Sequence, residues 1–156
     1  MAFRETIRVS RFMSAQLLRD TRTLAILAHE TRDPEREVAL AGAALLMGAC
    51  AVEATLHEAT FQCKPELYTR KYCRMPAVQK FAKIRGTKSR DLQRLMSLRN
   101  ALAHGEPDNE RGRDLSKYFN ASAATEILEK VECLCREIWQ DRMPKWYSDV
   151  AFPRAD

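Results

Sequence analysis

Apolar positions in this chain recur at helical spacing, and no stretch alternates as a strand does. A first helix is expected over Val9–His29, with Phe12, Leu17, Leu18, Leu24, Ile26 and Leu27 as its apolar positions. A second begins with a strong start signal: Asp33 as N-cap, Pro34 at the first helical position, then Glu35. It continues to about Phe61. Its middle is apolar all round and rich in small residues (Ala39, Ala41, Gly42, Ala43, Ala44, Gly48, Ala49, Ala51), the pattern of a central helix that neighbours approach closely. That face is also a candidate for contact with a second subunit. A third long helix is expected from Thr87 or Ser89 to His104, stopped by Gly105 with Pro107 after it. A fourth runs from about Ser122 to Arg142, with Ile127, Leu128, Val131, Leu134, Cys135, Ile138 and Trp139 along one face.

Between the second and third helices, Lys64–Gly86 contains Pro65, Pro76 and Gly86, which predict short helices and turns. Glu106–Lys117 reads as a polar connection. The tail after Pro144 carries Trp146, Tyr147 and Phe152, apolar enough to pack on the bundle or cover an interface. The expected fold is all-α: one domain over 1–156, an up-down bundle of four main helices with short extra helices between the second and third, and residues 144–156 as a tail. Composition agrees, since Gly and Pro are scarce and aromatics make up only 8% of the chain.

Composition also narrows the setting. Met1–Arg11 is polar and basic with no apolar segment behind it, so no secretory signal is expected. The longest uninterrupted apolar run, Val38–Val52, is short for a bilayer span of roughly 17–25 residues, so a buried helix is expected and no membrane. Five cysteines (Cys50, Cys63, Cys73, Cys133, Cys135) form no CxxC pair, and a cytoplasmic protein with free thiols follows. A zinc site from His57, Cys63 and Cys73 is the weaker reading, because structural zinc takes tighter ligand pairs. No metal and no cofactor is expected.

Charge changes the picture further. The chain is +5 overall, but Lys64–Arg99 holds eleven basic residues opposed only by Glu66 and Asp91, and the rest is net acidic. Such a local excess attracts polyanions, although a basic face is more often simply solvated. No P-loop, GxSxG, HExxH or GxGxxG occurs.

The chemistry concentrates in Leu92–His104. On a helical wheel Leu92, Leu95, Met96, Leu98, Leu102 and Ala103 share a broad apolar arc, and Arg99 lies inside it. A guanidinium there requires an anion or a strong acceptor. Gln93, Ser97, Asn100 and His104 line the edge of the arc, and Asn100 and His104 are neighbours at i, i+4. His104 also occupies the last turn, where the helix dipole favours imidazolium. Together these residues can hold a phosphate and exchange a proton, the parts needed to cleave RNA through its own 2′-OH. The plainer alternative is structural: Arg99 pairs with Glu53 and His104 caps the helix.

Arg99-Asn100-Ala101-Leu102-Ala103-His104-Gly105 resembles the RxxxxH signature of the HEPN superfamily, at the end of the third long helix where that family carries it. Ala51-Val52-Glu53-Ala54 with Glu58 is similar to the acidic motif on the second helix of many members. The likeness in order and helix count extends over roughly residues 9–142. It implies a homodimer in which two motifs line one cleft, and a metal-independent endoribonuclease that leaves 2′,3′-cyclic phosphates. Such enzymes serve in toxin–antitoxin or antiviral defence systems, so an antitoxin or defence partner is implied too.

On the resemblance, Arg99 and His104 are catalytic and Asn100 supports them. Glu53, if it faces the cleft, orients Arg99. Arg70, Lys71, Arg74, Lys80, Lys83 and Arg85 then guide RNA, with Tyr68 and Tyr72 as stacking candidates. One departure is Glu106, where some HEPN toxins carry a Tyr that a nucleotidyltransferase modifies; that form of neutralisation is not expected. The alternatives are a HEPN-like bundle that binds RNA, nucleotide or a protein partner without cutting, and an unrelated helical interaction protein.

Overall fold

The computed structural model describes residues 2–104 and 119–155, with residues 2–12 and His104 described by their backbone alone. Every regular element among the described residues is helical. They are α1 (Ala2–Glu30), α2 (Pro34–Cys63), α3 (Arg70–Cys73), α4 (Ala77–Arg85), α5 (Arg90–His104), α6 (Ala121–Trp139) and α7 (Lys145–Ala151), with 3-10 turns at Pro65–Leu67 and Gln140–Arg142.

Local signals set most boundaries. Asp33 caps α2 by accepting the Glu35 N–H at 3.0 Å, with Pro34 at the first helical position. Ser89 Oγ accepts the Leu92 N–H at the start of α5. Asn120 Oδ1 accepts the Ala123 N–H at the start of α6, and the Ala121 N–H goes instead to Glu37 Oε1 at 2.7 Å. That last bond ties the beginning of α6 to the first turn of α2. Gly86, at φ 77°, closes α4 in the left-handed conformation that glycine adopts without steric cost.

Two boundaries differ from expectation. α1 begins at Ala2 rather than Val9, because residues 2–8 contain no Gly or Pro to stop it. α6 ends at Trp139 rather than Arg142, because Gln140 takes φ 55°, ψ −134° and starts a 3-10 turn. The Glu106–Lys117 connection, Gly105 and Pro107 lie outside the described residues.

α2 is the centre of the molecule and packs against α1, α4, α5 and α6. Its small residues permit this. A Cβ on Gly48 would sit 2.8 Å from Val131 Cγ2 of α6 and 3.3 Å from Thr21 Cγ2 of α1. The face of α1 that meets α2 is small for the same reason. Ala15, Leu18, Ala25 and Ala28 are buried, whereas Ile26 and Leu27, expected among the apolar contacts, are exposed. By length and composition α2 is apolar enough to cross a membrane, and half of its most apolar stretch is buried within the fold.

The tail is part of the core. Tyr147 of α7 is fully buried, its hydroxyl 2.8 Å from Thr55 Oγ1 of α2 and its ring 5.3 Å from that of Trp139. Arg22 of α1 fixes the same region, reaching Glu132 at 2.6 Å and the Ala151 carbonyl at 2.7 Å.

Candidate functional site

α5 carries the motif along α2. Leu102 lies against Gly42, where an added Cβ would meet Leu102 Cδ2 at 3.4 Å. One turn earlier on α5, the Arg99 side chain reaches Glu53, donating from its terminal nitrogen (Nη2) to Oε1 at 3.3 Å. The same nitrogen lies 3.7 Å from Met96 Sδ. Arg99 Nε is buried and has no hydrogen-bond partner among the described residues. Arg99 and Glu53 keep 32% and 36% of their side-chain surface, so the pair contributes little to stability, while the guanidinium stays open to a further anion.

Asn100 is exposed next to it. His104 is the last residue of α5, and its side chain lies outside the described residues. The structure therefore joins Glu53 to Arg99, 46 positions apart in the chain.

A second polar group adjoins this pair. His57, one turn after Glu53, does not bond to Glu53. Its Nε2 is 2.6 Å from Lys80 Nζ and its Nδ1 is 3.3 Å from the Tyr68 hydroxyl. A charged Lys80 donates to Nε2, which leaves the ring proton on Nδ1, facing Tyr68. This arrangement takes His57 Nε2 out of play as a metal ligand. Among the described residues no three His, Cys, Asp or Glu side chains cluster as a metal site.

Burial and the Lys80 charge together push the His57 pKa down to about 4. Burial also lowers the Lys80 pKa, opposed by the nearby Glu53 and Cys73. Nearby, the Tyr72 hydroxyl meets Thr60 Oγ1 at 2.6 Å, and Glu58 accepts from Gln62 at 2.9 Å.

The lowered His57 pKa predicts acid sensitivity. The unfolded ring, near 6.5, takes up a proton before the folded one does. The contribution is therefore complete above about pH 6.5 and is lost as pH falls toward 4. Full linkage is worth about 3 kcal/mol, and solvent screening of a half-buried ring reduces this to about 1–2 kcal/mol. Urea denaturation of wild type and His57→Gln across this window checks it: the wild type loses stability more steeply, and parallel curves refute the assignment.

The basic residues divide. Arg70, Lys71 and Arg74 are exposed on and just after α3, and Lys83 is exposed near the end of α4. Arg85 is half-buried. Lys80 is buried, with its ammonium directed at His57 rather than at solvent. Its inward placement was legible, because Ala77, Lys80, Phe81 and Ile84 form the buried helical stripe of α4. Tyr72 is also buried, which leaves no ring face for a base. Tyr68 is half-buried and edge-on to His57 and Phe61. The chain matches no family model, no curated protein and no solved structure.

Proposed function

We propose that this chain is a metal-independent endoribonuclease of HEPN type, acting as a dimer in toxin–antitoxin or antiviral defence. The observation that carries this reading is the state of Arg99. Its guanidinium is held by Glu53, is partly open, and has a buried Nε without a partner among the described residues, five positions before His104 at the end of α5. A phosphate oxygen satisfies that guanidinium.

In the proposed reaction His104 exchanges a proton with the attacking 2′-oxygen or the leaving 5′-oxygen. Arg99 stabilises charge on the non-bridging oxygens, and Glu53 positions Arg99. The P–O5′ bond breaks as the 2′-O–P bond forms, leaving a 2′,3′-cyclic phosphate. The up-down order of four main helices and a cytoplasmic setting belong to the same reading. Arg70, Lys71 and Arg74 supply exposed cations for the strand.

Dimerisation is supported by an exposed apolar stripe on α2. Ala39, Leu46 and Cys50 are exposed and fall within roughly 60° of Glu53 on the helix. The stripe therefore leads directly to the Arg99 pair, as a shared cleft requires. Leu46→Glu is expected to weaken the dimer at least about tenfold by placing a charge in that contact. Sedimentation checks this, and a monomeric wild type at micromolar concentration rules out a shared cleft.

The primary test is cleavage of labelled single-stranded RNA by the purified chain in EDTA. Cyclic-phosphate products support the reading. Intact RNA with a folded protein favours the non-cutting bundle that binds RNA, nucleotide or a protein partner.

A further inference from the structure

A cavity of about 330 Å³ opens at the far end of the bundle, where the C-terminal ends of α2, α4 and α6 converge. Lys64, Lys83, Arg85 and Arg142 line it, and no carboxylate among the described residues does. Its floor is apolar, from Ile84, Ile138 and Trp139, all buried. Arg85 and Gly86 stand before the start of α5, and His104 at its other end. The length of α5, roughly 22 Å at 1.5 Å per residue, separates the two. The register on α2 agrees: Leu102 lies against Gly42 near the start of α2, while the cavity takes Cys63 and Lys64 at its end.

Part of this charge answers the helix ends. Lys64 donates to the Ile84 carbonyl at 2.9 Å and Arg142 to the Cys63 carbonyl at 3.2 Å, as cations at helix C-termini do. Lys83 and Arg85 are not accounted for in this way. Neither has an acceptor among the described residues, and Arg85 Nε is buried without one. The backbone adds a second observation. Gln140, also lining the cavity, is the only non-glycine with positive φ among the described residues. That conformation costs on the order of 1–3 kcal/mol and persists where surroundings require it. Here it turns the chain so that Arg142 returns over the end of α2.

We propose that this cavity is a binding site for a phosphate group, separate from the Arg99–His104 motif. Four cations around an apolar floor match a phosphate carried on a less polar body, as in a nucleotide. A phosphate of an RNA backbone presents the same chemistry to the same cations. The site stands on its own geometry and does not depend on RNA being cut.

The test titrates pyrophosphate, ATP and a labelled single-stranded RNA into His104→Ala protein, which keeps RNA intact. The same titrations are run on that protein carrying Lys83→Ala with Arg85→Ala, and separately Lys83→Glu, with thermal melts to establish folding. Removing the cations is expected to weaken pyrophosphate or RNA binding at least about tenfold. If pyrophosphate and ATP weaken and RNA does not, the source is a free nucleotide. If RNA weakens, with a shallower salt dependence, and pyrophosphate competes with it, the source is the strand. Should the exposed Lys83→Glu, on its own, leave all three affinities unchanged, or should no probe bind at millimolar concentration, the proposal is overturned. Pyrophosphate binding that Arg99→Ala removes belongs to the motif, and binding that Lys83→Ala with Arg85→Ala removes belongs to the cavity, so failure here and failure of the nuclease reading are separable.

Discussion

His104→Ala is expected to abolish metal-independent RNA cleavage, with a loss of at least about 100-fold, while leaving the fold intact. The size follows from the role, since a positioned proton-transfer group contributes roughly 10²–10⁴-fold. Arg99→Ala is expected to fall by a similar factor, about 10²–10³, through loss of charge stabilisation in the transition state. The Arg99 loss is not confused with unfolding. Arg99 and Glu53 each keep about a third of their surface in water, and ion pairs this exposed contribute about 0–1 kcal/mol to stability.

Glu53→Gln separates positioning from chemistry. The amide still accepts from Arg99 but no longer holds it by charge, so a smaller loss, about tenfold, is expected, near 1.4 kcal/mol in the barrier. Single-turnover cleavage in EDTA with purified variants measures all three. Unaltered cleavage by Glu53→Gln removes Glu53 from the site. Equal cutting by wild type, His104→Ala and Arg99→Ala removes the motif from catalysis altogether.

Gly48→Val is expected to destabilise the fold by roughly 3 kcal/mol or more, the largest single effect on stability predicted for this chain. The first added carbon already meets Val131 Cγ2 at 2.8 Å, closer than packed carbons approach, and Thr21 Cγ2 at 3.3 Å. Val131 is buried and β-branched, so it has little rotamer freedom with which to yield. The methyls of the new valine meet the same contact with α1 and α6.

Gly48→Ala is milder. It gains about 1 kcal/mol of helix propensity and loses about 1–3 kcal/mol to overpacking, for a net destabilisation of about 1 kcal/mol. Adding Val131→Ala relieves the clash, so the double variant is expected to be more stable than the sum of the two singles predicts. Urea denaturation followed through the fluorescence of Trp139 and Trp146 reads these differences. Simple additivity of the two changes would show that Gly48 is not where the three helices meet.

Much of the helical order was legible because its causes are local. Asp33-Pro34-Glu35 starts α2 with neighbours in the chain, Ser89 caps α5 through the Leu92 N–H three residues on, and the apolar stripe of α6 repeats within a single helix. The run of alanines and glycines in α2 announced a central helix, since only small side chains allow approach from several sides at once. The Arg99–His104 motif was equally visible as six consecutive residues.

The sequence by itself thus determined an all-helical chain and where its candidate chemistry stands. The tertiary structure alone decided which side chains meet. A polar residue carries no mark of its distant partner: Arg99 found Glu53, and Lys80, on the buried stripe of α4, met His57 only through the packing of α4 on α2. Packing decided the rest: Leu18, Ala25 and Ala28 lie on the buried face of α1 and Ile26 and Leu27 off it, while Tyr147 of the tail fills a space in the core that only the assembled helices create. Periodicity and capping are properties of a segment, whereas pairing and exclusion depend on how the segments pack.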